Sequence, residues 1–113
     1  MDKLQSELTQ KSNGVWVLKL IGSIGSETYQ SIWTTSDSAT LLKQLIEAKA
    51  HKLVIDLSET ERIDSNGLRL LLNAHKEFSK EEIPIVLQNP NSHLHRLFLI
   101  MQFDRVFTID FVE

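Results

Sequence analysis

The chain has 113 residues, which suffice for one hydrophobic core but not for two ordinary domains, so we expect a single domain over residues 1–113. Hydrophobic residues make up 42% and charged residues 24%, values typical of globular proteins, which argues against a disordered or fibrous chain. The net charge of −3, with no run of basic residues, argues against a nucleic-acid partner, and the absence of cysteine excludes disulfides and thiolate metal sites.

The beginning of the sequence lacks the basic and apolar segments of a secretory signal. No apolar run is long enough to cross a bilayer. We therefore expect a cytoplasmic protein that does not insert directly into a membrane.

Two antiparallel strands are predicted at the start of the fold. Residues 4–9 alternate in part between apolar and polar side chains, and residues 15–21 are rich in β-branched and aromatic ones. Asn13-Gly14 between them favours a type I′ hairpin turn. We expect the first strand to lie at an edge of the sheet and the second to be covered on both faces.

A long polar stretch, residues 22–38, follows the hairpin and predicts a loop, which in a compact domain is often functional. Its aromatic residues Tyr29 and Trp33 either fasten the loop to the core or form a partner-binding surface. Ser36 or Asp37 is then expected to cap a helix whose apolar stripe consists of Leu41, Leu42, Leu45, Ile46 and Ala48.

The central stretch begins with a short apolar run, residues 53–57, that predicts a buried strand. Residues 58–63 are interpreted as a polar turn, and residues 66–78 as a helix with a leucine-rich face. A strand at residues 83–88, a helix after residues 89–92 and a last strand at residues 106–111 complete the order. The predicted fold class is α/β: a small mixed sheet of about five strands, first an antiparallel hairpin and then parallel strands, with helices packed against it.

Asp64, Ser65, Asn66 and Gly67 follow the central strand at its carboxyl end, where reactive groups collect on α/β sheets. In a functional interpretation Ser65 accepts a phosphate, Asp64 orients its hydroxyl or helps hold a cation brought by a nucleotide, and Gly67 lets a partner's backbone approach. In a purely structural interpretation Ser65 caps the helix, Asp64 is a turn residue and Gly67 relieves crowding.

The remaining polar residues do not form an enzyme pattern. His93 and His95 are two positions apart, which on a helix do not face the same side, so no metal site is inferred. His51 and His75 have no serine and acid arranged around them as a catalytic triad. The glycines form no dinucleotide or phosphate-loop motif, so we expect neither a cofactor nor an enzymatic activity.

Residues 64–68, Asp-Ser-Asn-Gly-Leu, follow a strand that ends in Asp-Leu-Ser at residues 56–58. This pattern resembles the STAS domain family, to which the bacterial anti-sigma factor antagonists belong and whose members read Asp-Ser-Ser/Thr-Gly-Leu at the start of a leucine-rich helix. The opening hairpin, the strand at residues 83–87 and residues 92–107 also match the family's order. The resemblance covers nearly the whole chain and implies one STAS domain.

The resemblance implies a switch rather than an enzyme. In the antagonist subfamily, the serine after the motif's aspartate is phosphorylated by a partner that is both a serine kinase and an anti-sigma factor, and a phosphatase reverses the modification. Carried over, the phosphoacceptor is Ser65, and the surface that binds the partner consists of Asp64, Asn66, Gly67, Ser23, Ile24 and Gly25.

Two departures from the family pattern fall in this surface. Asn66 replaces the second Ser or Thr, and Gly22-Ser23-Ile24-Gly25 replaces a segment in which many antagonists have an acidic residue, a hydrophobic residue and Asp after the glycine. These departures keep a second hypothesis open: a STAS module that is not phosphorylated and that binds a small ligand or serves as a constitutive subunit of a larger assembly such as a lipid transporter.

Overall fold

A computed structural model describes residues 5–25 and 43–112. Within these ranges, the chain forms one mixed sheet with helices packed against it, which confirms the predicted fold class. Helix α1 includes residues 43–47, α2 is Ser65–Ser79 and α3 is Ser92–Ile100. The strands are β1 (Gln5–Gln10), β2 (Val15–Ile24), β3 (Lys52–Asp56), β4 (Thr60–Ile63), β5 (Ile85–Gln88) and β6 (Thr108–Asp110).

The strand order in the sheet is β1-β2-β3-β5-β6, and β4 lies beside the end of β2. β1 and β2 are antiparallel, whereas β2, β3, β5 and β6 pair in parallel. From β2 through β3 and β5 to β6 the chain moves in one direction across the sheet, and between β3 and β5 it returns to the end of β2 to form β4. Because crossovers between parallel strands are right-handed, the helices lie on one face of the sheet.

The two faces of β2 differ as this arrangement requires. Leu18 and Leu20 point to the helices and are buried, whereas Val15, Val17 and Lys19 are half-buried on the other face. The prediction that β2 is covered on both faces is therefore wrong, because the side chains on its second face are only half-buried. The edge position of β1 is confirmed.

The hydrophobic core lies between the sheet and the helices. Phe98 of α3 stacks on Phe103 at a centroid distance of 5.5 Å, and Phe103 contacts Phe107 at the same distance. The predicted leucine-rich face of α2 is buried except at Leu72, which is exposed, and the inward residues of the central strands are buried as well. The core includes Trp16, Leu18, Leu20, Leu45, Leu53, Ile55, Leu68, Leu71, Ala74, Phe78, Ile85, Leu87 and Leu94.

The opening hairpin forms where the sequence predicts it. Asn13 and Gly14 have φ values of 61° and 75°, the left-handed values that an Asn-Gly turn supplies. The connection is a 3-10 turn over Ser12–Gly14, closed by a 2.7 Å bond from the Lys11 amide to the Val15 carbonyl. It is one residue longer than the two-residue turn that the sequence favours.

β4 corrects the interpretation of residues 58–63 as a turn. Thr60–Ile63 pairs in parallel with the end of β2, and Thr60 Oγ1 donates a 2.7 Å hydrogen bond to the Leu20 carbonyl. A bulge at Gly22/Ser23 leaves Glu61 as an extra residue, so both Glu61 and Arg62 are exposed and the strand lacks a two-residue alternation. This is why the strand does not show in the sequence pattern.

The second half of the chain matches its predicted elements, with shorter strands. β5 and β6 begin two residues later than predicted. Asn91 caps α3 by accepting a 2.8 Å hydrogen bond from the Leu94 amide. Within residues 5–25 and 43–112, no helix has both the length and the apolar character needed to cross a bilayer.

Several sequence interpretations lie outside the described residues. They concern the long loop from residue 26 onward and the beginning of the first helix. The residues in question are Leu4, Tyr29, Trp33, Ser36, Asp37, Leu41 and Leu42.

Candidate functional site

The candidate site lies where β2 and β4 end side by side. Because the two strands are parallel, their carboxyl ends meet at the same edge. The Gly22 amide donates to the Glu59 carbonyl at 3.0 Å, and the Asp64 amide donates to the Ile24 carbonyl at 3.0 Å. These bonds place residue 25, after β2, next to Asp64, after β4.

Gly22 makes this pairing possible. Its φ is 112°, a conformation that side chains disfavour, and it lies at the bulge where the register between β2 and β4 shifts. Beyond the bulge, Ile24 pairs with Ile63. The bulge therefore sets the positions of both strand ends at the site.

Asp64 is the N-cap of α2. Its backbone is extended, and its Oδ1 accepts hydrogen bonds from the amides of Asn66 (2.9 Å) and Gly67 (3.0 Å). Its carbonyl accepts the first helical bond, from Leu68, at 2.9 Å. The structural interpretation in which Ser65 caps the helix is thus wrong, because the backbone becomes helical at Ser65 and the capping oxygen belongs to the residue before it.

Ser65 is the first residue of α2, and its side chain is exposed. Asn66 beside it is exposed as well. A kinase substrate must present its hydroxyl to another protein, and Ser65 meets this requirement. The position one residue after a capping aspartate leaves the hydroxyl outside the network of capping bonds.

Gly67 is buried against the end of β2. A Cβ atom on residue 67 would lie 2.6 Å from the Ile24 carbonyl oxygen and 2.7 Å from Ile63 Cγ2. The glycine therefore allows the first turn of α2 to contact the chain's own β2 and β4. The hypothesis that Gly67 admits a partner's backbone is wrong, because this side of the residue is already occupied.

The segment Ser23-Ile24-Gly25 contributes to the site in unequal ways. Ile24 is 1% exposed and belongs to the core, so it supports the site from below and does not present its side chain to a partner. Ser23 and Gly25 are half-buried. A Cβ atom on residue 25 would lie 2.8 Å from Asp64 Cγ, so Gly25 leaves room for the capping carboxylate.

Gly25→Ala is expected to lower the free energy of unfolding by about 1 kcal/mol, the usual value of an N-cap, because the new methyl group displaces the Asp64 carboxylate. Urea denaturation measures this loss. Asp64→Ala should lower the free energy of unfolding by about the same amount. The double variant should lose little more than either single variant, because each of the three variants removes the same helix cap. Fully additive losses would contradict the contact between the two residues.

Charged side chains precede and follow the exposed serine in the sequence. Glu61 and Arg62 on β4 and Arg69 on α2 are exposed. Lys19 forms an ion pair with Glu59, whose carboxylate accepts a hydrogen bond from the ammonium group and raises the pKa of Lys19. This ion pair fixes the segment before β4 to β2, and neither of its members is next to Ser65 in the sequence.

Metal-binding side chains do not gather in the part of the chain that the structure describes. No group of three or more His, Asp or Glu side chains there is placed to hold a metal ion. His95 packs edge-on against Phe111 at 5.0 Å, and His75 packs in the same way against Phe107 at 5.3 Å. Both imidazoles thus serve as packing groups against aromatic rings.

Two residues that contribute to the site are not predicted from the sequence. Asn91, the cap of α3, also donates from Nδ2 to the carbonyls of Thr60 (3.3 Å) and Glu61 (3.4 Å), which connects α3 to β4. Arg69 lies four residues after Ser65, one helical turn along the same side of α2. The spacing of Arg69 was visible in the sequence, whereas the contact of Asn91 depends on the fold.

Comparisons with known proteins agree with this architecture. The family model described as "Mlab, STAS domain" matches residues 7–112. No curated protein sequence matches the chain. An anti-sigma factor antagonist from Mycobacterium paratuberculosis aligns with a TM-score of 0.71 and 22% identity, over 96% of this chain and 86% of that one.

Two further solved structures share the fold. The Bacillus cell fate determinant SpoIIAA in its phosphorylated form aligns with a TM-score of 0.67 and 16% identity, over 93% of this chain and 90% of that one. The murine anion transporter Slc26a9 aligns with a TM-score of 0.58 and 14% identity, over 88% of this chain and 18% of the transporter. The same fold thus occurs both as a small protein and as part of a much larger one.

Proposed function

Because this chain belongs to the STAS domain family, we propose that it is a cytoplasmic protein switch of the anti-sigma factor antagonist type. It binds a serine-kinase anti-sigma factor, or a related signalling kinase, through the surface around Ser65. Phosphorylation of Ser65 by that partner ends the binding, and a phosphatase restores it. The chain itself catalyses no reaction in this cycle.

The observation that carries the proposal is the position of Ser65. It is the exposed first residue of α2, directly after the capping Asp64, at the edge where β2 and β4 end. The serine of the motif that resembles the antagonists therefore lies on the surface, where a kinase can reach it. The similarity to SpoIIAA, which has been solved in a phosphorylated form, supports the same assignment.

The charge of a phosphate explains how the switch works. A phosphate adds about two negative charges at neutral pH. Asp64 places a carboxylate one residue away from the modified hydroxyl. A partner that binds this surface in the unmodified state then meets two adjacent anionic groups, and like charges at an interface disfavour binding without any refolding of the domain.

Capture of partners from the native cells tests the proposal. A tagged wild-type chain should recover a soluble serine kinase, and Ser65→Asp should not. Ser79→Asp is the matched control, because Ser79 is exposed at the other end of the same helix, and it should recover the kinase like the wild type. Failure of the wild type to recover a kinase, or equal recovery by Ser65→Asp, would contradict the proposal.

A second candidate is a constitutive subunit of a membrane transporter, such as a lipid transporter. It is favoured by the occurrence of the fold within the anion transporter Slc26a9, and by Gly25, which removes the acidic group expected beside the phosphorylation site in an antagonist. In the same capture experiment, this candidate predicts a membrane ATPase that the wild type and Ser65→Asp recover equally.

A further inference from the structure

We propose that Arg69 binds the phosphate on Ser65 within the same helix, so that the modified protein holds its phosphate in an internal ion pair. This inference rests on the proposed function, since it describes the state that phosphorylation of Ser65 produces. It assigns a role to a residue outside the motif that resembles the family.

The spacing of the two residues carries the first step. Ser65 and Arg69 are four residues apart in α2, and residues at this spacing are neighbours on a helix surface, with Cβ atoms about 5–6 Å apart. Side chains in a helix tilt towards its N-terminus, so the Arg69 side chain extends over the turn that contains Ser65. Both residues are exposed, so a phosphate on Ser65 and the guanidinium group of Arg69 both reach solvent.

The helix start alone offers little to the phosphate. The amides of Asn66 and Gly67 already donate to Asp64 Oδ1 at 2.9 Å and 3.0 Å. A phosphate on Ser65 would have to displace this carboxylate to use them, and otherwise it stands next to a like charge. A cation beside the phosphate would offset this repulsion.

Arg69 is available for this task. Between described residues, the structure has ion pairs of Lys19 with Glu59 and of Lys80 with Glu77, and Arg69 belongs to neither. Its guanidinium group presents parallel N–H donors that fit two phosphate oxygens at once. No bond to another described side chain has to break before the pair forms.

Arg62 is the competing cation. It lies three residues before Ser65, on β4, next to Glu61 in sequence and separated from the serine by the capping Asp64. The helical tilt that brings Arg69 over Ser65 does not apply to a strand residue. The geometry therefore favours Arg69, and Arg62 provides an internal comparison for the experiment.

Phosphorylation of Ser65, followed by pairing with Arg69, changes the proposed partner-binding surface in two ways. It places a negative group at Ser65, and it occupies the positive group at Arg69, which the unmodified chain presents to solvent. An acidic patch on the partner would lose its attraction to Arg69 at the same time as it meets the phosphate. An aspartate at position 65 is too short and too weakly charged to reproduce both changes in full.

The test installs phosphoserine at position 65 by genetic encoding and follows its phosphorus-31 resonance as the pH is varied. Arg69→Gln should raise the second pKa of the phosphate by about 0.3 relative to the otherwise unchanged protein, the size expected of one helical ion pair. This difference should disappear in about 1 M salt, where exposed charges are screened. Arg96→Gln, an exposed position on α3, should leave the pKa unchanged.

Two results would overturn the inference: an unchanged phosphate pKa in Arg69→Gln, or a rise in Arg62→Gln that equals or exceeds that in Arg69→Gln. Because the phosphate is installed without a kinase, these results do not depend on the identity of the partner. Failure to find a kinase that modifies Ser65 would instead contradict the proposed function and leave the measured ion pair as it is.

Discussion

Ser65→Asp is expected to weaken binding of the kinase partner by about 100-fold, or about 3 kcal/mol. The new carboxylate lies beside that of Asp64, on the surface that the proposed partner would cover and dehydrate. Ser65→Ala removes the phosphoacceptor without adding charge, so its affinity should stay within about threefold of the wild type. Isothermal titration calorimetry with the purified partner measures both.

Ser79→Asp separates the effect of position from that of charge. It adds the same carboxylate to an exposed serine of α2, at the end of the helix away from the site. Its affinity should equal that of the wild type. If Ser79→Asp weakens binding as much as Ser65→Asp, net charge explains the loss, and the surface around Ser65 is not the binding site.

Gly67→Val should lower the free energy of unfolding by about 3 kcal/mol, at the upper end of the range for overpacked positions. A Cβ atom at residue 67 already lies 2.6 Å from the Ile24 carbonyl oxygen, which is backbone and cannot turn away. Valine adds two methyl groups to that atom. The higher helix propensity of valine offsets only a few tenths of this cost.

Asn66→Val is the matched control for the glycine substitution. It places the same side chain one residue earlier in the first turn of α2, where the native side chain is exposed. We expect a loss below about 0.5 kcal/mol, as for most surface substitutions. Equal losses in the two variants, measured by urea denaturation, would show that the first turn is sensitive to β-branching and that the contact with Ile24 has no special cost.

Much of the fold was predictable from local pattern. The Asn13-Gly14 turn, the apolar run at residues 53–57 and the leucine-rich face of residues 66–78 each specify an element without reference to the rest of the chain. The parallel sheet then follows from the alternation of strands and helices. The resemblance in residues 64–68 pointed to the family that residues 7–112 match.

The missing features depend on contacts between distant parts of the chain. β4 was not predicted from the sequence, because the bulge in its pairing with β2 leaves Glu61 and Arg62 both exposed and removes the two-residue alternation. The burial of only one face of β2 was not predictable, because the strand's continuous apolar run does not show on which side the helices pack.

At the site itself, the structural interpretation gives Ser65 the capping role that Asp64 performs. Either residue can cap a helix, and only the backbone angles show that the helix begins at Ser65. Of the two interpretations of Gly67, relief of crowding is confirmed, because a Cβ there would meet Ile24, which lies 43 residues earlier. The Asp-Ser pair was visible in the sequence, and the strand that supports it was not.

The most direct measurement incubates the purified chain with its cognate serine kinase and ATP and maps the incorporated phosphate by mass spectrometry. We expect one phosphate, on Ser65, and none on Ser65→Ala, while Ser79→Ala should accept it like the wild type. No incorporation into the wild type, or incorporation that persists in Ser65→Ala, would contradict the assignment of Ser65 as the switch.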